Sequence, residues 1–105
     1  MKGLDTIQNE IAIWHIRNFP KSNAEKMLIG MMEELGELAH ANLKGSELNK
    51  NLSIEERDAL GDIVIFLLEY CNMRNFRFVD ILNETWTKVK RRDYTSERKK
   101  AANTA

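Results

Sequence analysis

Very little in this sequence breaks a helix. It has a single proline and five glycines in 105 residues, and its apolar residues recur at helical spacing throughout. It also has a single cysteine, which excludes an internal disulfide and a zinc–cysteine cluster. Cys71 sits in an apolar helical run and reads as a small buried hydrophobe. Net charge is absent, with 16 basic and 16 acidic residues, so electrostatics give no support to a nucleic-acid or membrane-surface role. No apolar run approaches the length of a membrane span, and the early acids Asp5 and Glu10 do not suit a signal peptide. The cytoplasm is the expected location.

What is present is one domain's worth of amphipathic helix. A first helix is expected from Asp5 to Arg17, with Ile7, Ile11 and Trp14 on one face, stopping at "NFP" before Pro20. Ser22 and Glu25 read as a capping box opening a second helix, which runs to about Leu43 with Gly45 as its C-terminal cap. "SELNKN" reads as a polar loop. Ser53 and Glu56 repeat the capping pattern for a third helix through "DALGDIVIFLLEYCNM". A turn at "RNFRF" leads to a fourth, "VDILNETWTKVKRR". The expected architecture is an all-α, four-helix bundle-like unit over residues 1–94 with a flexible polar tail over 95–105. "DIVIFLLEY" is apolar on more than one face, which points to burial against another subunit in a dimer or tetramer.

The acids of "MMEELGELAHANLKG" are the unusual feature. With Glu33 at zero on a helical wheel, Glu37 falls at about 40° and Glu34 at about 100°. Met27, Leu28, Met31, Met32, Leu35 and Leu38 fill the arc beside them. The third helix repeats the arrangement, with Asp58 and Asp62 one turn apart and Glu69 two turns further along. Its apolar stripe is Leu60, Ile63, Val64, Leu67 and Cys71, while Ile65 and Phe66 lie near the acidic side. Two long helices joined by a short loop lie antiparallel, which brings both acidic groups to one end of the hairpin. Close carboxylates resist joint ionisation unless a cation is present. An all-oxygen donor set suits magnesium, or manganese, rather than zinc or copper. The competing reading is a solvated acidic surface, the usual fate of such pairs.

"EELGE" and "DALGD" on consecutive helices resemble the MazG-like nucleotide pyrophosphohydrolases of the all-α NTP pyrophosphatase superfamily. "WHIRNFP" before them is similar to the family's tryptophan and Phe-Pro element, and "TWTKVKRRDY" after them to its last helix. The family pattern is EExxE followed by ExxD. The first half is intact as Glu33, Glu34 and Glu37. In the second, Ala59 stands where a glutamate is expected, and Asp58 is the substitute on the same face as Asp62.

The resemblance implies hydrolysis of a nucleoside triphosphate to monophosphate and pyrophosphate by water attack at the α-phosphorus. Glu34, Glu37, Asp58 and Asp62 would be the magnesium ligands. Glu33 would orient or deprotonate the water, with a supporting partner role as the alternative. Lys88, Arg91 and Arg92 would grip the outer phosphates, or else serve as a basic helix end. Trp14 would stack on the base, although its spacing with Ile7 and Ile11 favours core packing. His15 and His40 show no partner pattern that suggests catalysis. Two rivals remain: a non-catalytic helical module binding a nucleotide or divalent ion, and a plain helical oligomerisation protein.

Overall fold

The structure, a computed structural model, describes residues 2–49 and 51–95. Four α-helices and no strands are found among them: α1 (Leu4–Asn18), α2 (Ala24–Leu48), α3 (Ser53–Met73) and α4 (Phe78–Val89). The fold is all-α as expected, and every helix appears where the apolar period placed it. The expected tail lies outside the described residues from 96 onward. No described helix is long and apolar enough to cross a membrane.

The ends of the helices differ from expectation in instructive ways. The cap of α2 is Asn23, whose Oδ1 accepts the Lys26 N–H at 2.9 Å. The N–H of Ser22 instead donates to the Phe19 carbonyl in the preceding turn. Asparagine and serine cap about equally well, so which of two adjacent residues wins is set by the path of the incoming chain. Helix α2 passes through Gly45 and absorbs "SEL" of the expected loop. It ends at Asn49, which takes the left-handed conformation at φ 52° and sends its N–H to the Gly45 carbonyl. Asparagine tolerates that region better than other non-glycine residues, so the glycine is not needed as a cap. Ser53 is the first residue of α3 rather than its cap, and Asn51 Oδ1 accepts its N–H at 3.1 Å. Helix α4 stops at Val89, which leaves Arg91 and Arg92 beyond it.

Helices α2 and α3 pack together as an antiparallel hairpin, and α1 packs on α3 rather than on α2. The core is small: Ile11, Met27, Ala41, Ala59, Leu68 and Cys71 are the buried apolar residues, with Leu68 1% exposed. Half of the expected α2 stripe is open to solvent, since Leu28, Met32 and Leu35 are exposed while Met27 is buried. Leu60 and Val64 on α3 are likewise exposed. Helix α4 meets mainly α1 and buries none of its residues.

A polar clamp fastens α1 to the corner between α3 and α4. The Gln8 side-chain amide donates to Asn72 Oδ1 at 3.0 Å and to the Phe76 carbonyl at 2.9 Å, and accepts the Phe78 N–H at 3.1 Å. Asn72 returns a hydrogen bond to the Gln8 carbonyl at 3.0 Å. On the surface nearby, Arg77 on the loop before α4 makes a forked contact with Asp5 of α1 and pairs with Asp80 at 2.8 Å. These carboxylates push the guanidinium further toward its charged form, the Asp5 hydrogen bond being the largest cause.

Gly30 allows α2 and α3 their close approach. A Cβ there would lie 2.6 Å from the Phe66 ring. Overpacking of this kind costs about 1–3 kcal/mol, against a helix-propensity gain near 1 kcal/mol. Gly30→Ala is therefore expected to lower the melting temperature. Gly36→Ala and Gly61→Ala have open space at the same position and are expected to raise it, each adding up to ~1 kcal/mol of stability. Thermal melts of the three variants check this, and a Gly30→Ala protein as stable as Gly36→Ala would contradict the contact.

Candidate functional site

Because α1 leans on α3 and not on α2, the three helices leave a cavity of about 810 Å³ between them. Sites for small ligands are commonly 300–1,000 Å³, largely apolar, with a few polar groups that fix orientation. This cavity has that character. Ile7, Ile11, Trp14, Met27, Ile65 and Phe66 give apolar wall, Phe19 adds a ring from the α1–α2 turn, and Glu33, Glu34 and Asp62 line it as well. Trp14 and Phe19 stand edge to face with centroids 5.8 Å apart.

The helical period explains who faces inward. Asp62, Phe66 and Glu69 follow one another at i, i+4 and i+7 on α3, and Met27, Gly30 and Glu34 at i, i+3 and i+7 on α2, with Glu33 beside them. Antiparallel pairing then sets Asp62 of one helix against the acids of the other. The result is seen at Glu34. Burial first, then the Glu37 and Asp62 carboxylates, a Glu37 hydrogen bond and Glu33, together push the Glu34 carboxyl up from its ordinary 4.5. The expected convergence is thus present for Glu33, Glu34, Glu37 and Asp62.

It does not extend to every candidate. Asp58, exposed like Glu33, Glu37 and Asp62, differs from them in that it does not line either space and is not among the groups acting on Glu34. Glu37 lines an adjoining hollow with His40, Lys44 and Glu55, and Glu33 borders both spaces. Among the described residues no group of three or more His, Cys, Asp or Glu side chains is already disposed as metal ligands. Ala59, at the position where the motif has a glutamate, is 4% exposed. Lys88, Arg91 and Arg92 are exposed at and beyond the end of α4, and none lines the cavity. Among the described lining residues the one lysine or arginine is Lys26, which the motif reading did not select.

Two further residues correct the sequence reading. Trp14 is 45% exposed and forms cavity wall, so it is not the core residue that its spacing with Ile7 and Ile11 favoured. His15, which showed no partner pattern, is buried with its Nδ1 2.9 Å from Glu69 Oε2. Both line the cavity. Their separation in sequence hides this pairing. The signal available was Glu69 itself, an acid inside the apolar run "IFLLEYC", which needs a partner if it is buried.

The electrostatics of Glu34 have a measurable consequence. A raised folded-state pKa means that the native protein keeps a proton which the unfolded chain has already released above 4.5. The stability associated with this group is complete below that value and is lost as pH rises through the folded pKa. Glu34→Gln removes the repulsion, so it is expected to raise the melting temperature of metal-free protein at neutral pH and to leave it nearly unchanged well below the carboxylate range. Paired melts at the two pH values test this, and an equal gain at both would refute the electrostatic cause.

No protein-family model, curated protein or solved structure matches this chain.

Proposed function

We propose that the protein is a magnesium-dependent nucleoside triphosphate pyrophosphohydrolase of the MazG-like kind, releasing pyrophosphate from a nucleotide held in the α1–α2–α3 cavity. One observation carries the reading: Glu33 and Glu34 of one helix and Asp62 of its antiparallel neighbour line a ring-bearing cavity of nucleotide size, where burial and then the neighbouring carboxylates push the Glu34 carboxyl up. An ionised cluster of that kind calls for a countercharge. The donor chemistry fits a hard dication, since Glu34, Glu37 and Asp62 offer oxygen alone. Asp58, one turn before Asp62, is the further candidate ligand.

When bound, magnesium (or manganese) supplies Lewis acidity to phosphate oxygens and lowers the pKa of an attacking water. The chain's own contribution is positioning. Glu33, which borders both the cavity and the Glu37 hollow, orients the water or accepts its proton as it attacks the α-phosphorus. The rings of Trp14, Phe19 and Phe66 hold the base. Lys26, which lines the cavity, would meet a phosphate. Lys88, Arg91 and Arg92 would reach phosphates from a second copy of the chain, because none of them lines this cavity.

A non-catalytic sensor of nucleotides or divalent ions is the rival that Ala59 favours. An assay of pyrophosphate release across ribo- and deoxynucleoside triphosphates, with and without magnesium, separates the two. Turnover that needs magnesium supports the hydrolase. Nucleotide binding without any turnover supports the sensor.

A further inference from the structure

We propose that His15, held by Glu69, reads an amino group on the base of the bound nucleotide through its free Nε2. The identity of the ring as a nucleobase rests on the function proposed above; the reading of its hydrogen-bond polarity rests on the pair alone.

His15 and Glu69 are 7% and 5% exposed, and Nδ1 lies 2.9 Å from Oε2. An ionised carboxylate only accepts, so at this distance the proton belongs on Nδ1. Glu69 is itself held from the other side, where its Oε1 accepts from Asn72 Nδ2 at 2.8 Å and Asn72 is bound to Gln8. The carboxylate therefore cannot swing away, and the imidazole is oriented by it. Among the described residues no buried side-chain nitrogen or oxygen lacks a partner, and no hydrogen bond to Nε2 is found among them. Nε2 must consequently open onto free space, and the space that His15 lines is the cavity.

A polar atom on the wall of a cavity that Trp14, Phe19 and Phe66 also line makes a selective contact with a flat ring. With the proton fixed on Nδ1, the Nε2 of the neutral ring is an acceptor. It matches a donor on the ligand and leaves a keto oxygen facing a lone pair. Bases with an exocyclic amino group, cytosine and adenine, are favoured over their keto counterparts, uracil and hypoxanthine. Shape and stacking are nearly the same within each pair, so the difference isolates hydrogen-bond polarity.

The test is calorimetric titration of the full chain with CMP against UMP and AMP against IMP, at mildly alkaline pH. Monophosphates are used because they are not consumed. The wild type should bind the amino member of at least one pair about tenfold or more tightly, the penalty expected for an unmatched buried polar group. Glu69→Gln is the decisive variant. It keeps the side-chain volume and the Asn72 contact, but presents an N–H to Nδ1, which moves the histidine proton to Nε2. The preference should then invert toward the keto member. His15→Leu should retain binding with the two members within about threefold, and if that variant does not fold, Glu69→Gln decides alone. Equal affinities in the wild type, an unchanged preference in Glu69→Gln, or no binding of any of these nucleotides would overturn the proposal. Pyrophosphate release without discrimination sinks this reading and spares the hydrolase. Discrimination without pyrophosphate release does the reverse.

Discussion

Glu37→Gln and Asp62→Asn are each expected to reduce magnesium-dependent pyrophosphate release by at least about a hundredfold, with far smaller effects on nucleotide binding without metal. A metal ion at a phosphoryl oxygen contributes several kcal/mol to transition-state stabilisation. Each 1.36 kcal/mol is a factor of ten in rate. Both substitutions keep side-chain size and remove one charge, so the lost rate reports on the ion and not on packing. The two positions act on one carboxyl, since Glu37 and Asp62 are the largest charged contributors to the shift at Glu34. They should therefore be strongly non-additive, the double variant being little worse than either single one. Asp58→Asn separates the structure from the motif. Its side chain is exposed, away from the cavity and from Glu34, and a loss well below that of Asp62→Asn is the expected result. Steady-state rates for the four proteins check the set. An Asp62→Asn protein with wild-type turnover would remove Asp62 from the metal site.

Leu35→Asp is expected to convert an oligomer to a monomer and to lower the melting temperature sharply. The radius of gyration is 18.4 Å, against roughly 13 Å for a compact domain of this length. Leu28, Met32 and Leu35 form a continuous exposed stripe on α2, Leu60 and Val64 another on α3, and Leu82, Trp86 and Val89 a third on α4. Burying one leucine contributes about 2–3 kcal/mol, and a two-fold interface counts each side chain twice. Losing ~4 kcal/mol weakens dimerisation by roughly a thousandfold. Analytical ultracentrifugation of wild type and variant at micromolar concentration measures it. A monomeric wild type with a sharp unfolding transition would show that the stripes are covered in some other way.

The helices were legible because a 3.6-residue period needs only local sequence. Their ends were less so, since Ser22 and Asn23 are equally good caps and only the turn at Phe19 decides between them. The acidic convergence was legible for Glu34, Glu37 and Asp62, because antiparallel pairing of adjacent helices follows from a short loop. The cavity was not. It exists because α1 sits on α3 and leaves α2 free, a choice made by tertiary contacts such as Gln8 with Asn72 and His15 with Glu69. Those pairs join residues more than fifty positions apart, and no local pattern announces them. For the same reason Trp14 was misjudged, since helical spacing tells which residues share a face and not whether another helix covers it.

The side-chain amide of Gln8 stands in for a peptide group. It offers a donor to the carbonyl of Phe76 and an acceptor to the N–H of Phe78, as a neighbouring strand would. Helices α1 and α4 thus form one splint across the corner, and the heading of α4 is dictated from residue eight. Salt weakens the Arg77–Asp5 fork beside it but has little purchase on an uncharged amide. Helix α4 should hold its bearing in brine as firmly as in dilute buffer.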